Sequence, residues 1–260
     1  MTRKSAEEFW RDLLTRPHSS GLAWLPHSPR CSICGVPFAG LGGSVARAVG
    51  YRQWNKNPTL CNRCYRSLPE GGIETDIAVM FADLRGSTAL AERLEPAAFA
   101  DILSRFYGLK LEVLAPHRAI IDKMIGDEVM AFFAPMGRQD YQASAVAAAV
   151  DLMRRFREVL PEEEHPRLGI GLHKGRAFVG KVGAGEIKDL TALDDTVNSA
   201  ARLQSEARAG EIVISEDLYH AVALDFPDLE QRILRLRGRQ EPIVVRVLRV
   251  AGEAPEASGR

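Results

Sequence analysis

No apolar run in this 260-residue chain approaches the eighteen or so residues that a membrane-spanning helix needs. The opening stretch, MTRKSAEEFWRDLL, is charged and lacks the apolar core of a signal peptide. These two absences lead us to expect a soluble, cytoplasmic protein. Net charge is missing too: 34 Lys and Arg balance 34 Asp and Glu, so no global field favours nucleic acid or a membrane surface. The balance is not local, however. Residues 1–70 hold ten basic and four acidic side chains, about +6, which leaves about −6 on the remainder. Such a patch is ordinarily a solvated face beside an acidic neighbour. An anionic partner for the basic segment, nucleic acid included, stays open. Internal repeats are absent, and the one biased tract is a Gly/Ala/Glu tail, 252–260, expected to be disordered.

Cysteine is scarce, but its spacing is informative. Cys31-x2-Cys34 and Cys61-x2-Cys64 stand 26 residues apart. In a reducing compartment such thiols serve as metal ligands rather than disulfides. Four thiolates at this spacing suit tetrahedral Zn²⁺ in a closed structural site. Gly35 gives the backbone room to turn its N–H groups toward sulfur. An iron–sulfur cluster is the main competitor. A redox dithiol ranks third, because neither pair has a thioredoxin-like strand–helix setting. With few apolar groups over 31–70, bound metal is expected to make this segment fold. Its purpose stays open among a rigid cap, a metal or redox sensor and a docking module, with the cap placed first.

With 46% hydrophobic residues the chain can bury one good core plus a smaller appendage. Residues 1–30 form an N-terminal helical segment, with Phe9, Trp10, Leu13 and Leu14 on one side of a short helix over 5–16. Residues 31–70 form the four-cysteine module. "LPEGGIE", 68–74, reads as a boundary, since Pro and paired Gly interrupt both helix and strand. From 71 to 251 the pattern is α/β. "DIAVMFADL" is a buried strand, and Ser87–Thr88 can cap the helix after it. Phe99, Ile102, Leu103, Phe106, Val113 and Leu114 make a core-facing helical stripe over 96–115. A hairpin over 119–134, an Ala-rich helix over 140–159, strands "RLGIGLHKG" and "RAFVGKVG", a helix "TVNSAARLQSEA" and strands "GEIVIS" and "EPIVVRVLRV" follow. This order is the split βαβ arrangement, βαββαβ, of an α+β ferredoxin-like core with helices packed on its sheet.

Within the hairpin, "KMIGDEVMAFF" sets Asp127 and Glu128 amid apolar residues, with Gly126 at the bend. A carboxylate there loses hydration and must be paired, hydrogen-bonded or metal-bound. Asp83 ends the first buried strand, which neighbours the hairpin in a ferredoxin-like sheet. The two carboxylates can therefore meet at one edge, as hard cations such as Mg²⁺ prefer. After Asp83, "LRGS" leads into a helix N-terminus where the N–H groups of Gly86, Ser87 and Thr88 favour phosphate. Metal-dependent nucleotide chemistry is one reading; the other makes both Asp residues turn and cap formers.

Four motifs decide between them. "VMFADLRGST", "IDKMIGDEVMAFF", "LTALDDTVNSAARLQ" and "LRLRGRQEPIVVRV", in that order, resemble the catalytic domain of class III nucleotidyl cyclases, from about Ile73 to Ala251. The likeness is to bacterial adenylate cyclases. It implies that Asp83, Asp127 and the backbone carbonyl of Leu84 bind two Mg²⁺ or Mn²⁺ ions. Lys123 would read the purine with Thr191, Asn198 would orient the ribose, and Arg202 would steady the reacting phosphate. Arg237 would reach the terminal phosphates. In such enzymes one domain supplies the aspartates and its partner the base-reading residues, Asn and Arg. This chain carries both sets, so a symmetric homodimer follows.

The implied reaction converts ATP to 3′,5′-cyclic AMP and pyrophosphate. Lysine donates without accepting, which suits the acceptor N1 of adenine better than the N1–H of guanine. A cyclase using GTP or a pyrimidine triphosphate, and a non-catalytic nucleotide- or nucleic-acid-binding module, are the alternatives. Each residue also has a plainer reading. Lys123 can pair with Asp122 or Glu128, Thr191 can be an ordinary strand residue, and Arg237 a solvated one. His117 and His173 are read as structural. One departure stands out: Asp194–Asp195 replaces the Gly-Asp that usually precedes "TVN".

Overall fold

The computed structural model describes residues 3–55, 57–159, 167–184, 187–235 and 241–250. Arg237 and the 252–260 tail lie outside them. In chain order the elements are α1 (Arg3–Thr15), α2 (Gly40–Ala48), α3 (Asn62–Ser67), β1 (Gly71–Arg85), α4 (Ser87–Arg93) and α5 (Pro96–Leu114). Next come β2 (Ile120–Ile125), β3 (Glu128–Phe133), α6 (Tyr141–Val159), β4 (Arg167–Ala184) and β5 (Ile187–Leu193). The chain continues with α7 (Asp195–Glu206), β6 (Glu211–Ser215), α8 (Glu216–Tyr219), β7 (Glu230–Leu234) and β8 (Ile243–Arg249). None of the described helices is long and apolar enough to cross a membrane.

One sheet runs β2-β3-β1-β4-β6-β8-β7, with β5 paired to β4. Its first four strands form the ferredoxin-like core. From Ile77 to Ala82 β1 is apolar because both its faces are covered there. Ala78, Met80, Ala82 and Leu84 pack with Phe106, Val113, Leu152 and Phe156 of α5 and α6. Ile77, Val79 and Phe81 face the other way, toward Trp10, Leu13 and Leu14 of α1 and Leu60 and Tyr65 of the cysteine segment. Residues 1–70 thus share one core with the large sheet. That contact supplies apolar support beyond what the segment's own composition suggests.

Several elements differ from the sequence reading. "RLGIGLHKG" and "RAFVGKVG" are one strand, β4. Gly175 between them marks no turn; a Cβ there would lie 2.6 Å from Thr196 Oγ1, so the glycine admits α7 against the sheet. The 68–74 boundary is already strand from Gly71 onward. Gly72 lies opposite Gly180, and this side-chain-free pair lets the β1–β4 ladder continue. Ser87 does not cap α4. Gly86, at φ 78°, takes the cap position without a side-chain hydrogen bond, and Ser87 is already helical. α2, α3, β5 and β7 had no clear periodic signal.

Candidate active site

The β1–β3 ladder stops at Ala82, opposite Val129, while β1 itself runs on to Arg85 against β4. Asp83 therefore lies inside its strand rather than at the end of it, where the pairing with β3 gives way to the Gly126–Asp127 turn. The two carboxyls meet. Burial first, then the Asp127 charge and a carboxyl–carboxyl hydrogen bond, push Asp83 up to about 6. Burial, then Asp127, also push Glu128 up. The Asp83 and Asp127 carboxyls are the pair that could hold a hard divalent ion, with Glu128 adding negative charge nearby.

Helix α5 holds that turn in place, through residues not identified from sequence. The Tyr107 hydroxyl donates to the Gly126 carbonyl. Lys110, fully buried, donates through Nζ to the Asp127 carbonyl at 3.3 Å and lies 3.8 Å from the Phe106 ring centroid. Burial pushes its ammonium down to about 7, against the pull of Asp127, Asp83 and Glu128. The signal was present: Lys110 sits on the apolar stripe, four residues after Phe106.

The second group lies on β2 and β5. The β2–β3 register shifts between Ile121 and Lys123, which leaves Asp122 as the extra residue of a bulge. The bulge turns Asp122 inward. Its Oδ2 accepts from Thr191 Oγ1 at 2.6 Å and from the Ala192 N–H at 3.4 Å. Oδ1 is buried with no donor among the described residues. Burial pushes the Asp122 carboxyl up, and the Thr191 hydroxyl partly offsets this. Lys123, next in sequence, is exposed. The structure therefore joins Thr191 to Asp122, with Lys123 alongside.

The third group is on α7. Asn198 is exposed, and Arg202 lies 4.0 Å from Asp195 in an ion pair. The helix begins at Asp194, whose φ of 147° and ψ of −177° fall in backbone space that is essentially glycine's. Its Oδ1 accepts from the Asp195 N–H at 2.6 Å. The departure from Gly-Asp thus retains the glycine conformation under strain. Asp194→Gly is expected to stabilise the protein by about 1 kcal/mol, since relieved strain exceeds the few tenths lost with the cap. Chemical denaturation would check this; an unchanged or lower midpoint removes the strain. His117 Nε2 lies 2.8 Å from Asp151 Oδ2, joining the α5–β2 turn to α6. His173 lies in β4 opposite Val79.

The four cysteines also converge. All four sulfurs lie within 4.8 Å of one another, a group able to hold a metal ion. The Cys61 N–H points at Cys31 Sγ (3.3 Å) and the Cys64 N–H at Cys61 Sγ (3.4 Å). Gly35, at φ 72°, donates instead to the Cys31 carbonyl at 2.9 Å. Burial raises the Cys31 thiol.

Fold and site together define a nucleotide cyclase catalytic domain, a class whose chemistry uses divalent metals. Residues 72–248 match the Adenylate and Guanylate cyclase catalytic domain family, and the chain belongs to it. Among solved structures, the guanylyl cyclase Cya2 is similar at 28% identity and TM-score 0.65, over 72% of this chain and 98% of that one. The adenylyl cyclase CyaB from P. aeruginosa is similar at 28% identity and TM-score 0.60, over 68% and 95%. The uncharacterised protein Rv1318c of Mycobacterium tuberculosis is 31% identical over 183 residues. That match covers 66% of this chain but 32% of the relative, so the chain spans about a third of its length. The likeness extends to cyclases of both purines.

Proposed function

We propose that this protein is an adenylate cyclase, converting ATP to 3′,5′-cyclic AMP and pyrophosphate between two copies of the chain. The hydrogen bond from Thr191 to Asp122, 2.6 Å long, carries the preference for ATP. With its proton committed to a carboxylate, the Thr191 hydroxyl offers lone pairs outward. Those meet the exocyclic amine of adenine and repel the O6 of guanine. Lys123 donates to N1 of adenine, and the N1–H of guanine gives it nothing to bond.

Asp83, Asp127 and the Leu84 carbonyl would hold the divalent ions. Bound there, two Mg²⁺ or Mn²⁺ ions supply Lewis acidity to the ribose 3′-hydroxyl and counter-charge to the triphosphate. Tyr107 and Lys110 keep the Asp127 turn in register. The first-turn N–H groups after Gly86 take phosphate oxygens, Asn198 orients the ribose and Arg202 offsets charge gathering at the α-phosphorus. Arg237 completes the set from outside the described residues. The four thiolates would hold a structural Zn²⁺. The exposed apolar Val182 and Leu193 of the β4–β5 arm support a second copy as partner.

The test incubates purified protein with Mn²⁺ and each of ATP, GTP, CTP and UTP, and identifies products by mass spectrometry. Cyclic AMP should dominate; equal or faster GTP turnover rejects the proposal. Asp122→Ala frees the Thr191 proton, so the ATP/GTP ratio of kcat/KM should fall about tenfold, the worth of one hydrogen bond. An unchanged ratio removes Asp122 from base selection.

A further inference from the structure

We propose that a metal ion held by the four cysteines fastens a clamp on the base-reading edge of the catalytic sheet, so that its occupancy sets how tightly the nucleotide is bound. This rests on the reading of Lys123 and Thr191 as the residues that contact the base.

β2 is the last strand of the sheet on its side. An edge strand presents unpaired backbone groups, and here the cysteine segment meets them with side chains. Ser32 Oγ donates to the Ala119 carbonyl at 2.7 Å, and Asn57 Nδ2 to the Ile121 carbonyl at 2.8 Å. Thr59 Oγ1 accepts from the Ile121 N–H at 3.3 Å and donates to Asn57 Oδ1 at 2.7 Å. Ser32, Asn57 and Thr59 are all buried, at 1%, 4% and 0% exposure, so withdrawing them strands buried backbone groups. A second jaw closes on the β4–β5 arm. The Tyr65 hydroxyl donates to the Lys188 carbonyl, and Lys181 Nζ stands 4.7 Å from the Tyr65 ring centroid. Asp122 and Lys123 directly follow Ile121, and Thr191 is three residues beyond Lys188. Both gripped strands carry the base-reading group.

Three of the gripping residues lie within two positions of a cysteine, and the fourth, Asn57, is hydrogen-bonded to one of them, Thr59. Ser32 follows Cys31, Thr59 precedes Cys61 by two residues, and Tyr65 follows Cys64. The Ser32 N–H donates to the Thr59 carbonyl at 2.8 Å, joining the two knuckles. Otherwise the described residues of the segment show little regular structure: two helices of nine and six residues and two isolated bridges. A shared ion is the strong joint between its halves. The spacing fits a single thiophilic ion such as Zn²⁺. Zn–S bonds of about 2.3 Å in a tetrahedron put neighbouring sulfurs about 3.8 Å apart, and Cys34 and Cys61 are 3.8 Å apart. A multi-iron cluster spreads its cysteines further.

The test uses the full chain. Metal content is measured, then hydrogen exchange is followed before and after chelation, with Mg²⁺ returned in excess. Loss of the thiolate-bound ion should speed exchange over 119–125 and 187–193 at least tenfold, while β6 and β8 stay protected. Thr59→Val and Asn57→Ala should retain one equivalent of metal, show the same faster exchange at 119–125, and raise KM for ATP several-fold with kcat little changed. A protein isolated under reducing conditions with no thiolate-bound metal, or unchanged exchange at 119–125 after its removal, overturns the clamp. A wild-type protein with no cyclase activity sinks the proposed function instead, and the metal and exchange results still decide the clamp.

Discussion

Asp83→Asn is expected to abolish turnover and, in the same protein, to raise the melting temperature of the metal-free form. Asp83 and Asp127 press two carboxyls together, and burial with the Asp127 charge lifts Asp83 from 3.8 to about 6. The folded site therefore holds its proton more tightly than the unfolded chain does. Stability is full below the unfolded value and falls as pH rises through about 6, so at neutral pH the penalty is complete. Discounted for the solvent that reaches this half-buried pair, it amounts to about 1–2 kcal/mol. The neutral amide removes the penalty together with one of the proposed metal ligands. Turnover should drop by about 10²–10³-fold or more, the usual cost of losing one group that stabilises transition-state charge. Asp127→Ala should match it in activity. Thermal melts in chelator and product assays with Mn²⁺ check both halves. Retained activity in both variants removes the metal assignment, and a lower melting point in chelator removes the repulsion. If two copies build each site, mixing inactive Asp127→Ala with inactive Arg202→Ala should restore about a quarter of wild-type activity, because half the dimers are mixed and each has one intact site.

Glu211→Gln should do the reverse, costing stability while sparing the chemistry. Glu211 opens β6 and is 2% exposed. Its oxygens accept from Nη1 and Nη2 of Arg232, each at 2.9 Å, from Arg249 Nη2 at 2.7 Å and from the Arg208 N–H at 3.1 Å. Burial alone raises its carboxyl, but the hydrogen bonds from Arg232, Arg208 and Arg249 overcome this and hold it at about 2. A depressed acid contributes stability above its unfolded value, and that stability is lost as pH falls from 4.5 through about 2. The contribution is about 3 kcal/mol at neutral pH. The amide keeps the shape but leaves two arginines facing a neutral group, so about 2–4 kcal/mol should go, seen as a melting point lower by roughly 5–15 °C. Wild type should lose stability between pH 4.5 and 2 more steeply than the variant. Equal slopes would show that the carboxylate is not held by its arginines.

What could be read from sequence follows from what local pattern encodes. Two-residue alternation in "DIAVMFADL" fixes which side chains of β1 share a face, and the βαββαβ order fixes β3 as its neighbour. Asp83 and Asp127 were therefore legible as a pair although 44 residues separate them. The cysteine pairs were legible because x2 spacing alone brings two sulfurs together. Lys110 was passed over because a charged residue on an apolar stripe is ordinarily assigned to the surface, and only the acidic cluster across from it explains its burial. Asp122 was hidden by a bulge. One extra residue reverses the alternation of β2, so counting from Lys123 gives the wrong face for its neighbour.

The sequence by itself determined the family and the ferredoxin-like core, and supplied the residues proposed for the metal, base and phosphate positions, because motif spacing and hydrophobic period are local properties. Tertiary structure alone decided that Asp122 takes the Thr191 proton and that Ser32, Asn57 and Thr59 close the open edge of β2. Those contacts link segments 60 to 90 positions apart. A side chain that bonds a distant backbone carbonyl leaves no periodic trace, and its partner is fixed only once the sheet has formed.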